Sequence, residues 1–329
     1  MTTIPLRRGL QAALLVGVAL AATSITAMLP SAARAEWKPN RTVTLVVPYS
    51  PGGGTDVMAR KIAEQLSRTF GQSVIVDNRP GAGGLIGTER VIGAEPDGHT
   101  LLVQLPSLVL LKYLPGFKGD DPVSKLLPVT AYSQYPGVWV AHRDVPGKDL
   151  REMIAHCKQA AEPCKFGSTE NTAWLRLSML KDTVLPSMII LNYKGGGQLM
   201  PELLNNSVNI ASMGYTAALP HLQSGRVKAI MTGGVQRSPV LPDVPSAPEQ
   251  GFPELASMTW FGLFAPLGTP KDAVSALTAA VQKALDADEV RKTFDSLGAE
   301  TLRVNSEEFS QMVKKADREY RELTARYPL

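Results

Sequence analysis

The chain has 329 residues, a formal charge of +4, 44% hydrophobic and 6% aromatic residues, and two cysteines. The basic excess is not gathered into patches interleaved with aromatics, which sets nucleic acid aside, and beyond the N-terminal segment no apolar run is long and unbroken enough to span a bilayer. A chain of this size usually divides into two domains.

Residues 1–35 place Arg7 and Arg8 before an apolar stretch from Leu10 to Leu29 and end in Ala33-Arg34-Ala35. That is the layout of a cleaved secretory signal, so the mature chain is expected to start at Glu36 in the periplasm, with a retained anchor as the alternative. The Arg7-Arg8 pair leaves the export route, unfolded or folded, open. The segment carries three arginines and no acid, so without it the +4 becomes +1. The basic character is mostly leader.

The stretch TVTLVVPYSPGGGTDVMAR, Thr42 to Arg60, reads as strand, loop, helix. Val43, Leu45, Val46 and Val47 form the short apolar run of a strand buried on both faces. Met58, Ile62, Leu66 and Phe70 recur every four residues as one helix stripe. Gly52, Gly53 and Gly54 leave backbone N–H groups at the helix start, with Gly54 or Thr55 as cap and Asp56 in the first turn; such a turn suits a carboxylate or phosphate, or serves only as a tight turn. No Lys-Ser/Thr pair follows, which argues against a nucleotide P-loop.

Ser73 to Asp77 is a second strand, and Gly83-Gly84 open a second helix toward the same crevice. Gly81, Gly83 and Gly87 are spaced too loosely for a dinucleotide fingerprint and follow the wrong strand. Thr100 to Leu105 is a third strand, leaving Ser107 either at the ligand edge of the sheet or as a helix cap. Val129–Tyr132 and Val138–Ala141 flank Tyr135-Pro136-Gly137 and carry the chain out of the first domain. A second β/α set follows: a helix through Leu150, Met153, Ile154 and Cys157, strand Lys165–Ser168, a polar loop from Ser168 to Thr172, strand Met188–Asn192, glycines after Tyr193-Lys194, and strands Val208–Met213 and Val227–Met231. Cys157 and Cys164 sit close enough to bridge in an oxidising compartment, with two separate buried thiols as the alternative. A Pro-rich link, Ser238–Pro253, leads to a returning strand, Trp260–Ala265. Two helices follow, one opened by Thr269 as cap and Pro270, the last by Asn305 and Glu308. The four histidines (His99 at a turn, His142 at a strand end, His156 in a helix, His221 at a helix start) form no HExxH or HxxxH pattern, and no G-x-S-x-G elbow occurs. No metal or cofactor is expected.

From about Trp37 onward, VVPYSPGGGTD, VDNRPGAGGLIGTERV, PDGHTLL, YKGGG, PHLQSGRVKAI, RSPVLPDVPSAPEQGFP, WFGLFAPLGTP and LGAE occur in order. In this the chain resembles the Bug-type, TctC-like solute receptors of the tripartite tricarboxylate transporter family. The resemblance implies an α/β periplasmic-binding-protein fold of the type II, Venus-flytrap kind: lobe 1 from residues 36–136 and 258–329, lobe 2 from 137–257, and a two-strand hinge. It implies a monomer that encloses a small carboxylate and delivers it to two membrane subunits. Carried over by motif, the first lobe offers Tyr49, Ser50, Pro51, Gly52, Gly53, Gly54, Thr55 and Asp56, with Ala82, Gly83 and Ser107. The second offers Ser168, Thr169, Glu170, Asn171, Thr172, Tyr193, Lys194, Gly195, Gly214, Tyr215 and Thr216. The departure is Glu170, where members usually carry a glycine-serine loop, with Arg176 at a histidine position. Glu170 is either solvated, or paired, with Arg176 as a candidate, or it recognises a donor on the ligand. A secreted hydrolase or dinucleotide oxidoreductase, and a sensor for a membrane kinase, remain the alternatives.

Overall fold

The computed structural model describes residues 37–193 and 196–329, apart from the side chain of Thr216. The first sheet begins with β1 (Val43–Val47), β2 (Val74–Asn78) and β3 (Thr100–Gln104) in parallel. Long β4 (Leu126–Pro136) and β10 (Met258–Pro266), with short β11 (Glu300–Thr301), add antiparallel members in the order β11-β4-β10-β3-β1-β2. Val43, Leu45, Val46 and Val47 are all buried, as a strand covered on both faces requires. Helix α1 (Gly54–Phe70) buries Met58, Ile62 and Leu66, its four-residue stripe, and α2 (Leu85–Ile92) follows the second glycine loop.

The second sheet has the order β7-β6-β8-β5-β9, from β5 (Val138–His142), β6 (Lys165–Ser168), β7 (Ile189–Asn192), β8 (Ile210–Met213) and β9 (Val227–Thr232). Its helices are α3 (Leu150–Gln159), α4 (Asn171–Thr183), α5 (Gly196–Leu204) and α6 (Tyr215–Gln223). Cys157 at the end of α3 is bonded to Cys164 just before β6. The C-terminal helices α7 (Lys271–Ala284), α8 (Asp288–Ser296) and α9 (Ser306–Arg326) return to the first sheet, and α9 opens with a reciprocal Asn305–Glu308 capping box.

Two crossings join the sheets side by side. β4 ends at Pro136 and β5 starts at Val138, while Gly233 follows β9 and Ser257 precedes β10. The Gly233 N–H donates to the Gly137 carbonyl at 2.7 Å, tying the crossings together. Gly262 in β10 is a packing requirement: a Cβ there would lie 2.0 Å from the Phe309 ring of α9. Phe309 in turn meets Trp260 edge-on at 5.0 Å between centroids.

Three local readings are corrected. Gly53, not Gly54 or Thr55, caps α1, and no side chain completes that cap. Thr269 does not cap α7; its hydroxyl donates to the Pro266 carbonyl at 2.8 Å, because the strand end leaves that acceptor open, and the helix starts at Lys271. His221 lies in the last turn of α6, which starts directly after Gly214 and runs through Pro220. Among the described residues no helix is long and apolar enough to cross a membrane.

Candidate functional site

Both lobes present their candidate residues where β-strands give way to helices. In the first lobe, the loop after β1 is braced by its own residues. The Asp56 carboxylate accepts from the Gly52 N–H at 2.9 Å, from Arg60 Nε at 3.1 Å and from Asn78 Nδ2 at 2.9 Å, and Asn78 Nδ2 also donates to the Tyr49 carbonyl at 3.1 Å. Burial pushes the Asp56 carboxyl up, but the donors from Arg60, Gly52 and Asn78 outweigh it and leave it below the usual carboxylate range. Asp56 therefore acts on the loop, and Gly52 directs its N–H inward with φ +84°. The N–H groups of Gly53, Gly54 and Thr55 have no acceptor among the described residues. They stand at the positive end of a 17-residue helix.

Beside that loop Tyr49 turns its ring to the end of β3. Its hydroxyl donates to Gln104 Oε1 at 2.7 Å and shares a 2.9 Å bond with Ser107 Oγ, and Gln104 is fully buried. Burial raises the Tyr49 hydroxyl well above the ordinary phenol range, Ser107 lowers it, and Glu170 raises it again. Ser107 thus lies in the first turn after β3, not at the cap, which is Leu105. The second glycine loop approaches the same strand ends: a Cβ on Gly84 would lie 3.2 Å from Gln104 Nε2 and 3.6 Å from Pro48. Ala82 and Gly83 are exposed there in left-handed backbone, with φ +45° and +64°.

In the second lobe, Ser168 is buried at the end of β6 and donates to Asn192 Oδ1 at 3.0 Å, while its carbonyl accepts from the Tyr193 N–H at 2.8 Å. Ser168 and Tyr193 hold the β6 and β7 ends together. Glu170 occupies the position before α4, makes no capping bond, and accepts from the Thr172 hydroxyl at 3.3 Å. Burial pushes its carboxyl above the usual carboxylate range and Thr172 only partly offsets this. Arg176 does not answer it. The guanidinium donates to the Glu254 carbonyl at 2.8 Å and pairs with Glu319 on α9, while its Nε is buried without a partner among the described residues. Thr169 and Asn171 are half-buried beside Glu170. Lys194 and Gly195 lie outside the described residues, as does the side chain of Thr216.

Glu170, Thr172 and Gly214 line one cavity with Tyr135, Trp139 and Ser212. The cavity lies against the crossings, since Gly137, Gly233 and Ser257 also line it. Tyr135 and Ser212 escaped the sequence reading; Tyr135 directly precedes the break at Pro136, a placement that could have flagged it. Burial raises the Tyr135 hydroxyl and the charge of Glu170, which lines the same cavity, adds to the rise. Tyr215 reaches the other way: a Cβ on Gly298 would lie 2.3 Å from its ring, so the ring rests on first-lobe backbone.

The family model described as the tripartite tricarboxylate transporter family receptor matches residues 58–326. The chain belongs to that family. It is a family of binding receptors, not enzymes, and the two-lobed α/β architecture is that of its solved members. Protein BugT of Bordetella pertussis is 32% identical over 279 residues, covering 83% of this chain and 85% of BugT. The structure of MatC (Rpa3494) from Rhodopseudomonas palustris with bound malate superposes with a TM-score of 0.73 at 32% identity, over 87% of this chain and 99% of that one. R. palustris Rpa4515 with adipate gives a TM-score of 0.78 at 26% identity, over 87% and 97%. The family match starts just beyond the Gly52–Gly54 loop of this receptor.

Proposed function

We propose that this receptor encloses a small carboxylate between lobes bounded near residues 136/137 and 257/258, and hands it to the two membrane subunits of a tripartite tricarboxylate-type transporter. The observation that carries the reading is the set of N–H groups at Gly53, Gly54 and Thr55 that have no acceptor among the described residues, at the start of α1 in a loop that Asp56 braces and next to the Tyr49–Ser107 pair. Such a nest binds an anion without a cofactor. Relatives of the same fold hold malate and adipate, which agrees with it. The ligand favours the closed pair of lobes because only there do donors from both reach it, so capture proceeds by population shift. Residues 1–35 would direct the chain to the periplasm and be removed. Residues 36–329 should melt at higher temperature with one class among mono-, di- and tricarboxylates, since a ligand of the native state alone stabilises by mass action. Shifts with nucleotides only would overturn the reading.

A further inference from the structure

The carboxylate reading leaves Glu170 unexplained. It is the one acid among the described residues lining the cavity, and a second anion is a poor neighbour for a carboxylate ligand. Its carboxylate receives a single neutral donor, the Thr172 hydroxyl at 3.3 Å. The guanidinium of Arg176, which also lines the cavity, turns its two terminal nitrogens to Glu319 and the Glu254 carbonyl, keeps its Nε buried without a partner among the described residues, and makes no bond to Glu170. Unlike Asp56, which gathers donors from Gly52, Arg60 and Asn78, Glu170 is half-buried at the cavity wall and accepts one hydrogen bond, so most of its acceptor capacity is open to a ligand. A half-buried carboxylate with a single neutral donor loses its remaining water when a ligand closes over it, a penalty that a cation on the ligand relieves. Two rings, Tyr135 and Trp139, line the same cavity, and aromatic walls are compatible with a cation.

We propose that the ligand bears, besides the carboxylate held at the start of α1, a protonated nitrogen that pairs with Glu170, so that this chain is a receptor for amine-bearing carboxylates. The inference rests on the carboxylate-receptor reading and narrows it. Glu170 is then a specificity-determining residue: it selects the amine and rejects a second carboxylate. The competing role is a neutral Glu170 donating its proton to a plain dicarboxylate. The two differ in what glutamine can replace, because glutamine keeps a neutral donor and loses the charge.

Matched pairs separate them: succinate with aspartate, glutarate with glutamate, and butyrate with 4-aminobutyrate, titrated calorimetrically into residues 36–329 as wild type and as Glu170→Gln. The wild type should prefer the amine-bearing member of at least one pair by about 10- to 100-fold, the range of a charge-assisted bond. Glu170→Gln should erase that preference, weakening the amine-bearing member while the plain member is unchanged or improved. The wild-type preference stands independently of how well the variant folds, and near-ultraviolet circular dichroism checks the variant. Equal or tighter binding of the plain members to wild type, unaltered in Glu170→Gln, would overturn the inference and leave the receptor reading intact. Binding of no member of any pair would overturn the inference, while the receptor reading stands or falls on the melting screen with mono-, di- and tricarboxylates.

Discussion

Asp56→Asn isolates the charge that holds the first glycine loop, because asparagine keeps the shape and one acceptor. The carboxylate is 4% exposed as a side chain and takes donors from Gly52, Asn78 and Arg60; Arg60 is 51% exposed, so its ion pair contributes under ~1 kcal/mol. The Gly52 and Asn78 bonds lose their charge assistance, about 1 kcal/mol each, giving roughly 2–3 kcal/mol in all. For a protein of this length that lowers the melting temperature by roughly 3–5 °C at neutral pH. The pH dependence has a definite sign. The folded Asp56 carboxyl lies below its ordinary value, so its stabilisation is complete above about pH 4, the unfolded value, and is lost as the pH falls through the depressed folded value. The gap between wild type and variant should therefore be widest near pH 7 and narrow in acid, measured by thermal melts from pH 7 to pH 3. Identical melts at pH 7, or a gap that stays constant down to pH 3, would refute this account of the loop.

Two other perturbations probe the frame around the site. Gly298→Ala meets both a left-handed backbone, φ +67°, and the Tyr215 ring at 2.3 Å. It should destabilise by roughly 1–3 kcal/mol, and a double-mutant cycle with Tyr215→Ala should show coupling above ~0.5 kcal/mol; strict additivity would mean that the two lobes do not touch here in solution. Replacing Cys157 and Cys164 by serine opens a loop of sequence separation 7 and should cost about 2.5 kcal/mol in chemical denaturation, with ligand affinity retained. Unchanged stability in the paired serine variant would show that the bond restrains nothing.

The parts of the structure legible in the sequence are those whose causes are local. β1 and α1 follow from a β-branched run and a four-residue stripe, the α9 cap from Asn305 and Glu308 three residues apart, and the paired crossings from breaks at Pro136-Gly137 and before Met258. The anion nest could be anticipated because glycines before a helix expose N–H groups whatever lies around them. What could not be read is where polar side chains find partners. Asp56 looks like a cleft residue until Asn78, 22 positions away, is seen to claim it. Arg176 sits two turns into the helix that Glu170 begins, yet its partner is Glu319, 143 positions on, because α9 lies across α4. Tyr135 gave no periodic signal, since it belongs to a strand leaving one sheet for another.

Helix α4 belongs by sequence to the second sheet, but its Leu175 is fully buried in the apolar cluster of the first, among Leu108, Val109, Val313 and Tyr320, with Trp174 packed against it. The next residue, Arg176, is 5% exposed and held by Glu319. The two halves are therefore not separable modules. A fragment covering only residues 137–257 would turn Leu175 out to water and leave a cation without its acid, and the remainder would keep an apolar hole and an acid without its cation. Domain swaps meant to transplant specificity between relatives should therefore exchange α4 together with the α9 surface that receives it.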